Sequence, residues 1–166
     1  MKLIAQPLTA EGFAPYGMVI AVAEGSDGGR LINGGTTRRF DLIDDMQLSA
    51  EAGLPMLALF RAQARSFPHA VTEMERHAIG SQTFVPIGCE RRFVIVVARA
   101  GDAPSSEALA AFVTDGCQGV TLAPGTWHHA LLAVDAGDFV VIERVASTVD
   151  CDLCEVNPVV GVTWGG

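Results

Sequence analysis

Residues Met74–Pro86 read MERHAIGSQTFVP and place a carboxylate, an imidazole and a carboxamide ahead of an apolar run. Side chains alternate between the two faces of a β-strand, so Glu75 and His77 share a face wherever the chain is extended. Polar groups gathered on the inner face of a β-barrel cost free energy unless they bind a partner. Taken alone, the triplet Glu-Arg-His also fits the wet edge of a turn. A second polar element downstream favours the functional interpretation.

That second element is Pro124–His129, which reads PGTWHH. In an extended chain the rings of His128 and His129 face opposite sides, so only one of them can join the first element. We predict that His128 points inward and that Trp127 points outward against a covering element. For His129 we expect a structural role, either facing solvent or hydrogen-bonded in the core. Histidine with carboxylate ligands is a usual set for Zn, Ni, Mn or Fe.

Length and composition indicate one globular domain over residues 1–166. The chain has 166 residues and a mass of 17.4 kDa. Hydrophobic residues make up 49% and charged residues 18%, which argues against disorder. The formal net charge of -8 disfavours nucleic acid and anionic membranes as partners. A small anionic substrate stays open, because a local cluster of Arg or His can override the global sign.

The N-terminal segment Met1–Pro7 lacks the features of a secretory signal, because its apolar run is short and is interrupted by Gln6. No run approaches the ~18 apolar residues that span a bilayer. We therefore expect the four cysteines to be reduced and the protein to be cytoplasmic. Cys151 and Cys154 have C-x-x-C spacing without a second such pair, so we expect no four-thiolate zinc site.

Short apolar runs separated by Gly, Pro, Asp and Asn dominate the chain, and this pattern is typical of an all-β sandwich or barrel. We predict one helical turn within Thr9–Pro15, capped by Thr9. A helix is predicted over Ser105–Phe112, which has hydroxyl caps, an acidic first turn and good helix formers. The predicted strands are Leu3–Leu8, Met18–Ala23, Arg38–Leu42, Pro55–Ala62, Thr83–Ile87, Phe93–Ala98, Gly119–Ala123, Leu131–Val134 and Phe139–Val145.

The two polar elements resemble the two motifs of the cupin superfamily, which implies a cupin-like jelly-roll β-barrel. In the first motif Glu75 stands at the position of the first His, His77 at the second His, Gln82 at the Glu and Gly88 at the Gly. The second motif is approximated by Pro124, Gly125 and His128. The resemblance implies a metal site formed by Glu75, His77, Gln82 and His128, in which two of the four usual ligands are changed.

More closely, most of the chain is similar to the ureidoglycolate lyase family, cupin-fold enzymes of purine (allantoin) degradation. The resemblance implies a lyase that splits (S)-ureidoglycolate into glyoxylate and urea. It also implies a homodimer and an associated divalent metal, usually nickel. The matching segments are Phe13–Gly17, Asn33–Gly35, Arg61–Gln63, Glu73–His77, Gly80–Pro86, Phe112–Thr114, Gly119–Val120 and Trp127–His129.

This substrate is a carbinolamine that carries a carboxylate. Its breakdown removes a hydroxyl proton while the urea nitrogen leaves with one, so a general base and a general acid are needed. We expect His77 or Glu75 to take the hydroxyl proton and His128 to protonate the nitrogen. Gln82 would orient the urea group or complete the shell of a metal ion, which would lower the pKa of the hydroxyl.

The substrate carboxylate needs a partner, and a planar guanidinium matches a carboxylate bidentately. Arg61 and Arg38 are candidates, and Asn33 with its two following glycines could supply donors from a loop over the barrel mouth. Alternation points Arg76 away from this face, so we expect it in a structural ion pair. Arg39 is expected to be solvated.

Two other functions stay open. A hydrolase acting on the same substrate would release ammonia and carbon dioxide, and a non-catalytic cupin would bind a small organic acid. The acid–base groups argue against the binding module, because binding alone does not need them. The C-terminal segment Val156–Gly166 is apolar for an exposed end, so we expect it to cover the core or a neighbouring subunit.

Overall fold

The computed structural model describes residues 1–23 and 25–165, and the regular secondary structure within them consists almost entirely of strands, so the predicted all-β class is confirmed. Helix α1 covers Ala10–Phe13, and 3₁₀ turns cover Asn33–Gly35, Ala50–Ala52 and Ser106–Ala108. The strands are β1 (Lys2–Pro7), β2 (Gly17–Ile20), β3 (Arg30–Ile32), β4 (Thr37–Arg39), β5 (Leu54–Ala62), β6 (His69–Arg76), β7 (Gln82–Pro86), β8 (Phe93–Ala98), β9 (Ala110–Val113), β10 (Gly119–Leu122), β11 (Trp127–His128), β12 (Leu132–Ala133), β13 (Gly137–Val145) and β14 (Asp152–Trp164).

Six strands form a closed barrel in the order β11-β6-β14-β1-β9-β8, and the pairing of β11 with β8 closes it. Strand β1 runs parallel to both of its neighbours, β14 and β9. The interior is filled by apolar side chains that are at most 3% exposed, among them Val71, Met74, Val96, Trp127 and Val160. Closure gives each of these six strands two partners, so none of them is an edge of the barrel.

A second sheet, in the order β2-β10-β7-β13-β5, packs on one side of this barrel. The ring of Phe93 in β8 meets that of Phe139 in β13 edge to face, with centroids 5.5 Å apart. Val97, Phe84 and Val141 belong to the same buried cluster. Burial of these large apolar groups holds the two layers together. A closed barrel with a packed second sheet is consistent with the predicted cupin-like jelly roll.

Every predicted strand overlaps an observed one, and Phe93–Ala98 is reproduced residue for residue. The predicted helical turn is also confirmed, since the Thr9 hydroxyl accepts a hydrogen bond from Gly12 N at 3.1 Å at the start of α1. The predicted helix over Ser105–Phe112 is wrong. Only Ser106–Ala108 forms a 3₁₀ turn, and β9 follows it.

The reason for that error is long-range pairing. Ile95 and Phe112 are register partners, and β9 fills the gap in the barrel between β8 and β1. Ala111 and Phe112 are both buried there, on opposite faces. Burial on both faces of a strand outweighs a helix propensity that differs by less than about 1 kcal/mol per residue.

The predicted apolar tail is the end of a thirteen-residue strand, β14, which pairs with β6 and β1. Val156 and Val162 lie in the barrel interior, so the tail covers the core of its own subunit. Its final residue, Gly166, lies outside the described residues. A shift of the β14–β6 register between Glu155 and Val160 interrupts the alternation, which hid the strand in the sequence.

Arg76 and Trp127 join the two predicted motifs on the face that lines the barrel interior. They are register partners of β6 and β11, and the guanidinium carbon lies 4.6 Å from the indole centroid. Both side chains donate to the carbonyl of Gly101, at 2.7 and 3.1 Å. Nε and Nη2 of Arg76 also both donate to Asp152 Oδ2, at 3.0 and 2.6 Å, and form an ion pair. The expected structural pair of Arg76 is thus confirmed, whereas Trp127 faces the barrel interior and not outward.

Among the helices that the structure describes, none has the length and apolar character needed to cross a bilayer.

Arg76→Lys should destabilise the fold, because an ammonium cannot stack flat on Trp127 while it donates to both Asp152 and the Gly101 carbonyl, as the planar guanidinium does. We expect the free energy of unfolding to fall by about 1 kcal/mol in chemical denaturation. Arg39→Lys is the matched control: its pair with Asp41 is exposed, with side chains 56% and 54% accessible, and should contribute little. Equal losses in the two variants would contradict the bridging role of Arg76.

Candidate active site

The pairing of β6 with β11 assembles three of the predicted site residues. His128 is the register partner of Glu75, and His77 follows the end of β6. Their ligating atoms all lie within 4.8 Å of one another. His128 is also the partner of Val97, whose side chain lies between the barrel and the second sheet, so His128 faces that space. We call Glu75, His77 and His128 the polar cluster.

Backbone carbonyls fix the orientation of both imidazoles in the polar cluster. His77 Nδ1 lies 2.5 Å from the carbonyl oxygen of Asp150, and His128 Nδ1 lies 3.0 Å from that of Thr126. A carbonyl can only accept, so the bonding pattern assigns a hydrogen to each Nδ1. A neutral ring then offers Nε2 as an acceptor. Both Nε2 atoms are buried, and neither donates to or accepts from a described residue in a well-formed hydrogen bond.

Glu75 contributes a third, negatively charged acceptor beside the two histidine rings. The contact with His128, whose Nε2 lies 3.4 Å from Glu75 Oε1, lowers the pKa of Glu75 against the opposing effect of burial, and the proximity of His77 acts in the same direction. The carboxylate is therefore ionised. Three acceptors converge, so the cluster is suited to hold a proton or a cation.

Gln82, the fourth residue of the predicted metal site, is the first residue of β7 in the second sheet. Its Nε2 donates to Glu143 Oε2 at 2.9 Å, and its Oε1 is buried without a partner among the described residues. Because Glu143 Oε2 accepts this bond, the amide of Gln82 is held with its nitrogen toward Glu143 and its oxygen is left free to bind. Neither sequence motif includes Glu143. The pattern that could have pointed to it is the alternation along β13, in which Glu143 follows Phe139 and Val141 on the face that is buried.

The residues present fit a divalent cation. Over residues 1–23 and 25–165, four buried side-chain atoms lack a hydrogen-bond partner: His77 Nε2, His128 Nε2, Gln82 Oε1 and Arg144 Nη1. The first three are nitrogen and oxygen acceptors, and they belong to the metal site that the cupin resemblance implies. Glu75 supplies the carboxylate of that site. Buried acceptors without donors are costly, and a cation removes that cost.

The remaining predicted substrate-binding residues make their bonds elsewhere. Arg61 forms a bidentate pair with Asp138, at 2.8 and 3.0 Å. Asp138 lies on β13 five residues before Glu143, which is about 16 Å along a strand. Arg38 donates to the carbonyls of Asp27 and Gly28, at 2.6 and 3.3 Å. Asn33 Nδ2 donates to the Thr37 hydroxyl at 3.4 Å. A substrate role for these three residues stays a prediction.

His129 lies on the opposite face from His128 and outside the polar cluster. Its Nδ1 lies 2.8 Å from the Ala130 carbonyl, and its ring meets that of His69 edge to face at 5.2 Å. Burial lowers the pKa of His129 and favours the neutral ring. These contacts agree with the structural role that we expect for His129.

Asp150 is a further residue that no motif pointed to. Its carboxylate accepts from the amides of Ala78, Ile79 and Gly80, at 2.7, 3.0 and 3.0 Å. Burial opposes its ionisation, but these three amides and the charge of His77 hold the pKa of Asp150 below its ordinary value. It precedes β14, which comes beside β6 only through long-range pairing.

The comparisons with known proteins agree with one another. A family model described as ureidoglycolate lyase matches residues 1–163. A protein of Burkholderia cepacia named ureidoglycolate lyase is 47% identical over 148 residues, 87% of this chain and 81% of the relative. Proteins with the same name from Pseudomonas syringae pv. syringae and Azotobacter vinelandii are 44% identical over 152 residues and 43% identical over 148 residues. These alignments cover 91% and 89% of this chain and 88% and 87% of the relatives.

Gln82→Glu should place two carboxylates side by side, because Gln82 Nε2 now donates to Glu143 at 2.9 Å. Without divalent ions we expect the free energy of unfolding to fall by about 1–2 kcal/mol, since like charges repel and a buried hydrogen bond is lost. Added Ni²⁺ should then raise the stability of the variant more than that of the native protein. Chemical denaturation with chelator and with Ni²⁺ measures both effects.

The matched control is Gln6→Glu, at an exposed position of β1, with an expected change within about 0.5 kcal/mol. A Gln82→Glu variant as stable as this control in chelator would contradict the Gln82–Glu143 contact.

Proposed function

The chain belongs to the ureidoglycolate lyase family, and from that membership we infer that it is an enzyme that splits (S)-ureidoglycolate into glyoxylate and urea in purine (allantoin) catabolism. The names of the relatives support the reaction. One structural observation carries the chemistry: a carboxylate oxygen of Glu75 and ring nitrogens of His77 and His128 lie within 4.8 Å of one another, with His128 buried and the other two partly buried.

The reaction is an elimination that conserves every atom of the substrate. The hydroxyl oxygen loses its proton and forms the aldehyde C=O of glyoxylate while the C–N bond breaks. The departing nitrogen keeps the bonding electron pair and takes up a proton, which completes urea. One proton leaves oxygen and one reaches nitrogen, so a base and an acid on the two sides of the carbinol carbon are sufficient.

The polar cluster supplies both kinds of group. His77 has its hydrogen on Nδ1, bound to Asp150, so its Nε2 lone pair can accept the hydroxyl proton. His128 lies beside Glu75, with its Nε2 3.4 Å from Glu75 Oε1, and when protonated it would donate from Nε2 to the leaving nitrogen. Of the two bases expected from sequence, this geometry favours His77, because the lowered pKa of Glu75 makes its carboxylate the weaker base.

A divalent ion is the second part of the proposal, with nickel as the choice that the resemblance implies. Glu75, His77, Gln82 and His128 would hold it. When bound, such an ion polarises the substrate hydroxyl and lowers its pKa. A ring nitrogen that ligates an ion does not transfer a proton at the same time, so the ligand role and the proton-transfer role of each histidine exclude one another.

Release of urea and glyoxylate from ureidoglycolate tests the function. We expect equimolar urea and glyoxylate without ammonia. Ammonia in place of urea would identify the hydrolase, and binding without turnover would identify the non-catalytic cupin. Loss of turnover in chelator with recovery in Ni²⁺ assigns the histidines as ligands, whereas turnover indifferent to chelator assigns them to proton transfer.

Glu75→Gln, His77→Asn and His128→Asn should each lower kcat/KM by about 10²- to 10⁴-fold, because each removes a charge, a base or an acid from the site. His129→Asn is the control, since this neighbouring ring lies on the opposite face, and its kcat/KM should stay within about threefold of the native value. Undiminished turnover in all three cluster variants would refute the site.

We also propose that the protein is a homodimer joined through β5. This nine-residue strand is an edge of the second sheet and, among the described residues, pairs only with β13. Leu54, Leu57 and Leu59 are 67%, 71% and 57% exposed. The strand has one charged residue, Arg61, in a chain of net charge -8, so two anionic copies can approach most closely there. Antiparallel pairing of two β5 strands would satisfy both edges symmetrically.

Leu57→Asp should shift the protein toward monomer in sedimentation, because it places a charge on each side of the symmetric contact. Leu31→Asp, at a similarly exposed position in β3, should leave the native oligomeric state unchanged. If both variants sediment as the native protein does, β5 is not the interface.

A cytoplasmic location belongs to the same proposal. It is supported by the four cysteines, Cys89, Cys117, Cys151 and Cys154, all of which are free thiols.

A further inference from the structure

We propose that Asp150 is the positioning residue of the polar cluster, since its side chain clamps the turn Ala78–Gly80 while its main-chain carbonyl fixes the ring of His77. The inference rests on the proposed function only in that it takes His77 to act through Nε2. Asp150 touches no reacting atom. It acts through His77 instead, because it fixes the position and the tautomer of that ring.

The clamp acts on the connection between the two layers of the fold. Residues 78–80 lead from His77, beside the barrel strand β6, to Gln82, the first residue of β7 in the second sheet. Three consecutive amides of this turn point at one carboxylate, at 2.7, 3.0 and 3.0 Å. An unpaired amide in this partly buried turn would be costly, so the carboxylate determines the path of the turn. That path sets the separation of His77 and Gln82.

The carbonyl of the same residue acts on the imidazole. At 2.5 Å from His77 Nδ1 it can only accept, so it holds the hydrogen on Nδ1 and leaves Nε2 as a lone pair. The side chain and the carbonyl of Asp150 therefore fix the backbone that follows His77 and the ring of His77 together. Movement of the carboxylate would displace the carbonyl as well, because both belong to one short segment.

The next two residues extend this support to the neighbours of His77. Cys151 Sγ lies 4.0 Å from Glu75 Oε2, and Asp152 Oδ2 accepts from two nitrogens of Arg76. Three consecutive residues thus hold the triplet Glu75–His77. Asp150 differs from the other two because it bonds to the backbone of the turn as well as to the imidazole.

Asp150→Asn and Asp150→Ala test the proposal, with Asp115→Asn as the matched control. Asp115 caps a turn in the same manner, accepting from the amides of Cys117 and Gln118 at 2.8 and 3.0 Å, and it belongs to the β9–β10 connection, away from β6 and β11. Thermal unfolding compares what each carboxylate contributes to the fold. The isosteric Asn variant keeps one acceptor oxygen, so it provides a folded protein if the Ala variant does not fold.

The decisive measurement is the tautomer of His77 in the metal-free protein, read from long-range ¹H–¹⁵N correlations of the imidazole. We expect the native protein and Asp115→Asn to show hydrogen on Nδ1 alone, and the Asp150 variants to show a second population with hydrogen on Nε2. Calorimetric titration with Ni²⁺ should show affinity weakened by about 10- to 100-fold in the Asp150 variants. In turnover we expect kcat to fall about tenfold or more with KM within about threefold, because substrate binding is left in place.

Folded Asp150 variants that keep the native His77 tautomer and a Ni²⁺ affinity within about twofold of native would overturn the proposal. An equal loss of thermal stability in Asp150→Asn and Asp115→Asn with no change in tautomer would reduce Asp150 to a turn cap. The tautomer measurement needs neither substrate nor ion. A native protein that releases no urea would therefore refute the proposed function while the role of Asp150 is still decided.

Discussion

The pairing of β6 with β11 is the contact on which the rest of the structure depends. It completes the six-stranded barrel, because β11 is also the partner of β8. The same register places His128 opposite Glu75 on one face and Trp127 opposite Arg76 on the other. Barrel closure and assembly of the polar cluster are thus one event, since strand alternation sends the structural pair inward and the chemical pair toward the second sheet.

This arrangement gathers buried polar atoms that lack hydrogen-bond partners at the candidate active site. Most buried polar atoms in folded proteins have partners, yet the polar cluster and Gln82 retain three buried acceptors without donors among the described residues. Two apolar clusters, one inside the barrel and one between the layers, supply the stability that tolerates them. The carbonyls of Asp150 and Thr126 keep the imidazoles in the tautomer that is least satisfied alone and most able to bind a proton or an ion.

The sequence pattern within a single segment was sufficient to predict those site residues whose placement does not depend on a partner strand. Period-two alternation placed Glu75 and His77 together, and the PGTWHH element pointed to His128, because neither inference needs a partner strand. The helix predicted over Ser105–Phe112 failed because β8 and β1 decide the state of Phe112. Glu143 and Asp150 become neighbours of the motif only through the pairing of β13 with β7 and of β14 with β6. No spacing within a single segment encodes such contacts.

The clamp on residues 78–80 also constrains how the length of this chain can vary during evolution. A single inserted or deleted residue in that turn would take one amide off the carboxylate of Asp150 and shift Gln82 relative to Glu143. The hairpin of β3 and β4 makes its ladder bonds within itself, so its tip can gain or lose residues without moving the barrel. Length differences within the family should therefore avoid the turn after His77.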